Sequence, residues 1–336
     1  MENMKFQMHK KLINEKEEQN IIKNNKISDN IFANLNKFSH EEYQYLNLVE
    51  NIINNGFFEN GRNGKTKSIF GTSMRFSLKN GKIPIITTKK TAWKSCLNEL
   101  LWFIRGETDN RILQKNGVHI WDANSTRIFL DSRGLQFTRE DLIGPGYGFQ
   151  WRNFNAEYNN LNGKKLYDDQ NTIYFQGVDQ LQQIINALKD TKERCSRRLI
   201  MTAWNPCQLN QMALPPCHIL CQFNVYNSNQ LSCSMYQRSN DECLGTPFNI
   251  ASYSFLTHLL AKHCGLEASE FIYFKGNCHI YEEHIELAKL QLKRDPYPFP
   301  TLTIKQIREN INDYEIEDFV INNYQCHPQI KFQMVA

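Results

Sequence analysis

The sequence predicts one α+β domain that spans residues 39–336. Apolar residues recur at helical spacing in several separate segments, and a period-two alternation between them predicts a strand hairpin. No stretch rich in proline, glycine and serine divides this region, so we expect a single domain rather than two.

The predicted helices are defined by apolar stripes. Ser39 is a candidate N-cap of the first helix, and Gly56 follows its end. Gly106 closes the second helix, whereas Pro247 opens the fourth and Gly265 stops it. In chain order the stripes consist of Tyr45, Leu46, Leu48, Val49, Ile52 and Ile53; Leu97, Leu100, Leu101 and Ile104; Val178, Leu181, Ile185 and Leu188; Ile250, Tyr253, Leu256, Leu259 and Leu260; and Ile280, Ile285, Leu287 and Leu290.

The predicted hairpin lies between the third and fourth helices. Residues 219–226 alternate as a half-buried strand does, residues 227–229 have the composition of a turn, and residues 231–239 form the returning strand. The polar residues 159–175 predict a surface insertion.

The composition excludes several classes of protein. A chain of 336 residues with 41% hydrophobic content can bury a sizeable core, which excludes wholesale disorder. No run approaches the ~18 apolar residues of a membrane-spanning helix. The net charge of +4 suits an anionic small ligand at least as well as nucleic acid, and it is too small for a dedicated nucleic-acid binder.

The cysteines and the N-terminal segment indicate the cellular compartment of the protein. None of the ten cysteines forms a Cys-x-x-Cys pair, which argues against a structural zinc site, and we predict reduced thiols in the cytoplasm or also the nucleus. Residues 1–38 are rich in Lys, Glu and Asn, and we expect a disordered or fraying tail. This segment lacks the apolar core of a signal peptide, and its acids and lack of arginine argue against a mitochondrial transit peptide.

Cys217 is a candidate nucleophile. It follows Pro215 and Pro216, which fix φ and remove two backbone donors, so it begins a strand at a stiffly held point. The alternative is a buried structural cysteine at a strand start. A cysteine hydrolase does not fit, because neighbouring residues of a strand point to opposite faces and His218 cannot act as the base for Cys217.

Glu99 is a candidate acid or base. On a helical wheel it falls between Trp102 and Phe103, away from the polar side of the helix. A carboxylate among aromatic rings is desolvated and its pKa rises, which suits proton transfer or the anchoring of a ligand. The alternative is a glutamate at the edge of the apolar face that reaches solvent.

Four arginines predict a phosphate site. Arg62 lies in a loop flanked by glycines, Arg197 and Arg198 precede an apolar run, and Arg238 ends the predicted hairpin. Guanidinium groups match phosphate oxygens, although each arginine alone could equally form a surface salt bridge. The residues by themselves therefore predict an enzyme that acts on a phosphorylated small molecule through a cysteine.

Longer motifs resemble the thymidylate synthase family over about residues 39–336. Two of them, at 121–124 and 177–181, are most similar to the eukaryotic and large-DNA-virus branch. The motifs include Glu99-Leu100-Leu101-Trp102-Phe103, Ile120-Trp121-Asp122-Ala123-Asn124, Tyr147-Gly148-Phe149-Gln150-Trp151-Arg152, Leu214-Pro215-Pro216-Cys217-His218, Tyr236-Gln237-Arg238-Ser239-Asn240-Asp241, Pro247-Phe248-Asn249-Ile250-Ala251-Ser252-Tyr253 and His279-Ile280-Tyr281.

The resemblance implies both a fold and a reaction. The fold is a large mixed or antiparallel sheet covered by helices, with the sheet forming a homodimer interface. The reaction is the reductive methylation of dUMP to dTMP, in which 5,10-methylenetetrahydrofolate donates carbon and hydride without any metal. Residues 1–38 are too few to form a fused dihydrofolate reductase domain.

The resemblance also assigns residues by position. Cys217 would add to C6 of the uracil, Asn249 would read O4 and N3, and Arg197 and Arg198 would reach the phosphate in the other subunit's site. Met334, Val335 and Ala336 would close over the ligands. The implied catalytic residues are Cys217, Glu99, Tyr147, His218, Arg238, Asp241 and Asn249. The implied dUMP ligands are Arg62, Arg197, Arg198, Gln237, Arg238, Ser239, Asn249, His279 and Tyr281. The implied folate ligands are Lys89, Ile120, Trp121, Asn124, Asp241, Leu244, Gly245, Phe248, Met334, Val335 and Ala336.

Three positions depart from the family pattern. Gly146 replaces a branched residue, Asn277 stands where aspartate is common, and Ala92 occupies a position that is often aromatic.

A dCMP hydroxymethylase on the same fold would need aspartate at the position of Asn249. A nucleotide-binding or RNA-binding regulatory protein is the other alternative, and RNA binding could also accompany catalysis.

Overall fold

The computed structural model describes residues 40–61, 63–165 and 176–334. The chain divides into two units, Met1–Tyr43 and Gln44–Ala336, and apart from Tyr43, the first residue of the first helix, the features below belong to the second. The predicted tail, its boundary at residue 38 and the proposed cap Ser39 lie outside the described residues. No helix of the described ranges has both the length and the apolar character needed to cross a membrane.

The helices of the described residues include the predicted ones and several shorter ones. The second helix and the fourth confirm their glycine stops, because Gly106 and Gly265 both have positive φ. The α-helices are α1 (Tyr43–Asn55), α2 (Trp93–Ile104), α3 (Asn110–Lys115), α4 (Asp122–Ser125), α5 (Arg127–Ser132), α6 (Gly148–Asn153), α7 (Gln180–Lys189), α8 (Gly245–His263) and α9 (Ile285–Leu292). Short 3₁₀ turns span Lys79–Gly81, Leu209–Gln211, Glu282–His284, Ile311–Asp313 and Ile316–Asp318.

A mixed sheet forms the centre of the second unit. Within the described residues it has six strands in the order β1-β2-β6-β5-β4-β3, and only β5 and β6 run parallel. A separate antiparallel pair consists of β7 and β8. The strands are β1 (Phe57–Gly61), β2 (Gly64–Ser77), β3 (Ile200–Thr202), β4 (His218–Tyr226), β5 (Gln230–Asp241), β6 (Glu267–Tyr281), β7 (Thr301–Ile304) and β8 (Phe319–Asn322).

The strand directions bring the starts of β2 and β4 and the ends of β5 and β6 to one edge of the sheet. β4 begins at His218, which pairs with the last part of β5. Asp241, at the end of β5, pairs with His279 in the parallel strand β6. Tyr281, at the end of β6, pairs with Thr66 near the start of β2. The predicted nucleophile and predicted nucleotide ligands therefore meet at this edge, which we call the ligand edge.

Helix α8 connects the parallel strands β5 and β6 and is buried on nearly its whole circumference. It packs against both strands and against α2. Each fully buried Leu, Ile or Phe of such a helix contributes about 1.5–3 kcal/mol relative to an exposed side chain. Because the sheet and α2 hold α8 so firmly, its first turns are fixed at the ligand edge.

The opposite face of the sheet carries exposed apolar side chains. The register places Leu220 and Tyr226 of β4 on the same face as Ile200 of β3 and Phe274 of β6. Each of these four side chains is between 38% and 51% exposed. We call them the outer patch.

Two predicted helix stripes extend too far. The sequence predicts Ile280 in the fifth helix, but it lies in β6, where it is buried on the same face as Cys278, and the helix begins at Ile285. Val178 was assigned to the third helix, but it pairs with Phe154 as an isolated bridge ahead of the helix. In both segments a strand or bridge directly precedes the helix, and its apolar residue coincides by chance with the helical period.

The hairpin is confirmed as β4 and β5, joined by the turn at residues 227–229. Of the predicted insertion, residues 159–165 form a turn in which the N–H of Gly163 donates to the oxygen of Asn159 at 2.9 Å. Residues 166–175 lie outside the described residues.

Candidate active site

Cys217 is held on both sides of its backbone directly before β4. Its N–H donates to the hydroxyl of Tyr147 at 3.0 Å, and its carbonyl oxygen accepts the N–H of Arg238 at 2.9 Å. A register shift between His218 and Leu220 marks a bulge immediately after it, and bulges often redirect a side chain beside an active site. The partly exposed thiol is therefore presented from a fixed backbone, as the paired prolines predicted.

Arg238 gives the thiol a cationic neighbour. Its Nη2 lies 3.9 Å from Sγ of Cys217. Its Nε and Nη2 also donate to the carbonyl oxygens of Pro216 and Pro215, at 2.8 and 2.9 Å. The guanidinium lies over the ring of Trp204, 5.6 Å from the ring centre. These contacts fix the guanidinium where it favours the thiolate form of Cys217.

Tyr147 occupies a strained backbone conformation ahead of α6. Its φ is 39° and its ψ is −104°, a combination that costs about 1–3 kcal/mol for a residue other than glycine. Its ring stacks on Phe103 of α2 with centroids 4.9 Å apart. The neighbouring Gly148 allows this contact, because a Cβ there would lie 2.4 Å from the carbonyl oxygen of Phe103. Burial raises the pKa of Tyr147 well above its ordinary value, so its hydroxyl stays protonated.

Glu99 is buried in α2 and does not reach solvent, which excludes the alternative of an exposed glutamate. The indole N–H of Trp121 donates to its Oε1 at 2.7 Å. Burial raises the pKa of Glu99 to about 7, although the Trp121 hydrogen bond lowers it in part. Both protonation states of Glu99 are therefore accessible near neutral pH, as proton transfer requires.

His218 faces away from the position of a base for Cys217. Its Nδ1 lies 2.8 Å from the hydroxyl of Tyr253, and its ring lies 4.4 Å from the ring of Tyr147. Burial lowers the pKa of His218 to about 3, so the imidazole is neutral at physiological pH. A neutral, hydrogen-bonded imidazole can order water, and it does not support the mechanism of a cysteine hydrolase.

The first turns of α8 bring predicted substrate and folate ligands together. A Cβ on Gly245 would lie 3.7 Å from Oδ1 of Asn249 and 3.8 Å from Cβ of Asp241. Asn249 is buried, and no hydrogen bond occupies its amide within the described ranges. Asp241 accepts the backbone N–H groups of Cys243 and Leu244 at 2.8 and 3.2 Å, which fixes its carboxylate at the start of the helix.

The ligand edge also carries the residues predicted to bind ribose and phosphate. Nδ1 of His279 lies 2.9 Å from Oδ1 of Asn277, and the ring of His279 makes an edge contact with Tyr281. Ser239 pairs with Asn277 in the neighbouring strand, so it lies beside them. Arg62 lies outside the described residues.

Gln237 has its side chain already engaged. Its Oε1 accepts the hydroxyl of Tyr273 at 2.6 Å, and its Nε2 donates to the backbone oxygen of Ser239 at 2.9 Å. These bonds hold β5 in place near the ligand edge. Direct contact of Gln237 with dUMP stays a prediction.

The predicted folate ligands line a region between α8 and the C-terminal segment. Lys89 donates to the backbone oxygen of Cys243 and lies over the ring of Phe332, 4.4 Å from its centre. Nδ2 of Asn124 is buried and has no hydrogen-bond partner among the residues described. Ile120, Leu244 and Phe248 are half-buried, and Met334 is exposed. Val335 and Ala336 lie outside the described residues.

Arg197 and Arg198 are not brought to Cys217 of the same chain. They precede β3, which pairs with β4 through Ile200 and Gln222, several residues from the start of β4. At about 3.3 Å per residue they lie roughly 20 Å from Cys217 along the strand. Both arginines are exposed at the end of the sheet farther from the ligand edge.

Comparisons with known proteins agree with this arrangement. A family model described as thymidylate synthase matches residues 43–336. The chain belongs to the thymidylate synthase family. This confirms the resemblance inferred from the motifs.

Individual relatives are similar over most of the chain. It is 49% identical over 298 residues to the thymidylate synthase of Homo sapiens, covering 88% of this chain and 91% of the human protein. It is 48% identical over 299 residues to the thymidylate synthase of equine herpesvirus 2, covering 89% of this chain and 99% of the viral one. It is also 48% identical over 300 residues to the bifunctional dihydrofolate reductase-thymidylate synthase of Leishmania amazonensis, covering 89% of this chain. The chain spans 56% of that bifunctional relative.

Several contacts of the candidate site were not predicted from the sequence. Tyr253 was assigned only to the core stripe of α8, yet it hydrogen-bonds His218. The contact of Trp204 with Arg238 was not predicted. Phe103 supports Tyr147 by stacking. Each contact joins distant parts of the chain, so local periodicity carried no signal for it.

Proposed function

We propose that the chain catalyses the reductive methylation of dUMP to dTMP, with 5,10-methylenetetrahydrofolate as one-carbon and hydride donor and dihydrofolate as product. The observation that carries this proposal is the thiol of Cys217, held beside Arg238 and Tyr147 at the same sheet edge as Asn249. Family membership supplies the substrate class, and this geometry supplies a nucleophile with partners for a uracil ring.

The first step is the addition of Cys217 to the uracil. Sγ forms a bond to C6, and the electrons of the C5–C6 double bond move toward C4 and O4, which makes C5 a carbon nucleophile. Arg238 favours the attacking thiolate, and the Tyr147 hydroxyl keeps the backbone of Cys217 in position.

Proton transfers follow from the buried polar groups. Glu99, with a pKa of about 7, exchanges protons through water with O4 and with the folate. Tyr147 assists removal of the C5 proton, and neutral His218 orders water near O4. Trp121 holds Glu99 in place through the hydrogen bond to its carboxylate.

The residues around the first turn of α8 suit a folate. Bound methylenetetrahydrofolate supplies the carbon and then the hydride. Asp241 and Asn124 offer a carboxylate and a free amide to the pterin, and the half-buried Ile120 and Phe248 offer apolar surface. The C-terminal residues Met334–Ala336 would exclude water during hydride transfer.

Uracil is favoured over cytosine by Asn249. Its unoccupied amide offers both a donor and an acceptor, which fits O4 and the N3–H of uracil. A dCMP hydroxymethylase would need a carboxyl group here to pair with the cytosine pattern, so we favour dUMP.

A homodimer would complete the phosphate site. Arg197 and Arg198 are roughly 20 Å from their own Cys217, and the outer patch on the same sheet leaves apolar surface for a second copy. Stacking two such sheets face to face would bury the patch and bring both arginines to the partner's nucleotide. Arg238, Ser239 and Arg62 would hold the phosphate from the subunit's own side.

The test is the formation of dihydrofolate, followed by absorbance, in the presence of both dUMP and methylenetetrahydrofolate. Turnover that requires both ligands and disappears in Cys217→Ser is the expected result. Turnover of dCMP instead would replace the proposal with a hydroxymethylase. Binding of dUMP without any turnover would replace it with a regulatory nucleotide-binding protein.

Two further proposals concern cellular context. Cytoplasmic or nuclear location follows from the reduced-thiol argument, and fractionation of cells that express the tagged chain would test it. RNA binding as a second role would be tested by titrating labelled RNA at several salt concentrations, and saturable binding that survives physiological salt would support it.

A further inference from the structure

Three side chains that can ligate a transition metal converge beside the predicted folate ligands. Asp241 ends β5, Cys243 lies in the turn to α8, and His284 ends the 3₁₀ turn after β6. Their ligand atoms lie within 4.8 Å of one another. Cys243 and His284 are each 1% exposed, whereas Asp241 is half-buried, so the carboxylate lies on the accessible side of the group.

The hydrogen bonding of His284 leaves one ring nitrogen available. Nε2 lies 2.8 Å from the backbone oxygen of Gln333. A carbonyl oxygen only accepts, so Nε2 carries the hydrogen and Nδ1 of the neutral ring keeps its lone pair. Nδ1 is buried and has no hydrogen-bond partner within the described part of the chain. A histidine that donates one N–H to a backbone carbonyl and keeps its other nitrogen free has the usual arrangement of a metal ligand.

The other two residues supply matching donors and charge. Oδ1 of Asp241 accepts two backbone N–H groups, which orient the carboxylate and leave Oδ2 for a ligand. A thiolate at Cys243 and a carboxylate at Asp241 together balance a divalent cation. Lys89, which donates to the backbone oxygen of Cys243, adds a positive charge beside these donors.

We propose that Asp241, Cys243 and His284 form an inhibitory Zn²⁺ site with water as fourth ligand. Sulfur, nitrogen and oxygen donors suit zinc, and three protein ligands leave one position open. Zinc would withdraw Asp241 from the pterin and hold the segment at Gln333 through His284. The binding inference rests on the three side chains alone, whereas the inhibition also rests on the proposed function.

Zinc binding is tested by titrating Zn²⁺ against a chromophoric chelator in the full-length chain carrying Cys217→Ser, which removes the competing nucleophile. Cys243→Ala removes the sulfur ligand. His284→Gln removes Nδ1 while its amide can still donate to Gln333. Cys264→Ala is the matched control, because Cys264 is also buried but its Sγ lies near Ile185. The exposed thiols are the same in every variant, so any zinc they bind does not contribute to the differences between the variants.

The expected result is one site per chain whose affinity falls at least about 100-fold in Cys243→Ala and His284→Gln and is unchanged in Cys264→Ala. Cobalt should give a thiolate charge-transfer band that only Cys243→Ala and His284→Gln weaken. Equal zinc affinity in the Cys243→Ala variant and its parent would overturn the site, whatever the enzyme's activity.

Inhibition is measured separately with Cys217 intact. Zinc should raise the KM for methylenetetrahydrofolate at least tenfold, a chelator should reverse the effect, and Cys243→Ala should resist it while keeping basal turnover. Tight zinc binding without a change in KM would overturn the inhibitory role. A chain without basal turnover would refute the proposed function, and the chelator titration would still decide the binding site.

Discussion

The buried ion pair of Lys275 and Glu242 offers the sharpest test of how the ligand edge is stabilised. Nζ of Lys275 lies 2.6 Å from Oε2 of Glu242, and both side chains are fully buried. Nζ also donates to Oγ1 of Thr246 at 2.9 Å, in the first turn of α8. Oε1 of Glu242 has no hydrogen-bond partner among the described residues. The pair therefore joins β6 to the turn between β5 and α8.

Removing one partner should cost far more than removing both. Lys275→Met leaves a buried carboxylate without its cation, and the free energy of unfolding should fall by about 3–5 kcal/mol. The double variant Glu242→Leu/Lys275→Met leaves no uncompensated charge, and it should lie within about 1 kcal/mol of the parent or above it. Thermal and urea unfolding of the parent, both single variants and the double variant would measure these differences.

The pH dependence of the stability loss distinguishes the effect of the unpaired charge from the effect of lost packing. Burial already raises the pKa of Glu242, and without Lys275 this pKa should rise further. The folded Lys275→Met variant would then hold a proton that the unfolded chain releases, so its deficit should grow as pH increases above the ordinary pKa of a glutamate. A deficit independent of pH, or a double variant as unstable as Lys275→Met, would refute this reasoning.

Three further predictions concern single residues. The pKa of Glu99 is about 7 instead of 4.5, so stability should fall by about 3 kcal/mol as pH rises through this window; Glu99→Gln should remove this slope in urea unfolding. Burial lowers the pKa of His279, and Asn277→Asp would place a carboxylate against its Nδ1. NMR titration should therefore show a higher pKa of His279 in this variant. Gly146 has no positive φ, and a Cβ there would meet nothing within 4 Å; Gly146→Ala should therefore stabilise the fold by about 0.4–1 kcal/mol in thermal unfolding.

Each of these predictions has a contradicting result. An unchanged pH slope in Glu99→Gln would assign the slope to other groups. A fall or no change in the His279 titration, with His279→Gln identifying the signal, would show that Asn277 does not control the ring. Destabilisation by Gly146→Ala would show that the loop before Tyr147 depends on glycine.

The sequence predicted the parts of the fold that depend on local periodicity. The β4–β5 hairpin was recovered because its burial alternates with the period of a strand, and α2 and α8 were recovered because their apolar residues end at Gly106 and Gly265. The long strands β2 and β6 were not predicted, since Gly71 and Gly276 interrupt them and their burial depends on partners far along the chain.

The same distinction applies to the site. Burial of Glu99 followed from its place on a helical wheel, which is a local property. The hydrogen bond of His218 with Tyr253 did not follow from any local pattern, because Tyr253 reaches His218 only after α8 packs on the sheet. The separation of Arg197 and Arg198 from Cys217 depends on strand order, which short-range pattern does not encode. Family motifs supplied these positions, and the structure supplied their distances.

The pairing of β2 with β6 has a consequence for biosynthesis. Thr66 cannot pair with Tyr281 until residue 281 has been synthesised, so this side of the ligand edge forms only then. At about 5–20 residues per second, the ribosome needs roughly 10–40 s to produce the intervening chain. During that interval the β1–β2 hairpin presents an unpaired strand edge and the exposed rings of Phe57 and Phe58. Until β6 pairs with it, this edge of β2 is open to pairing with another chain, and the completed sheet removes that possibility along one side.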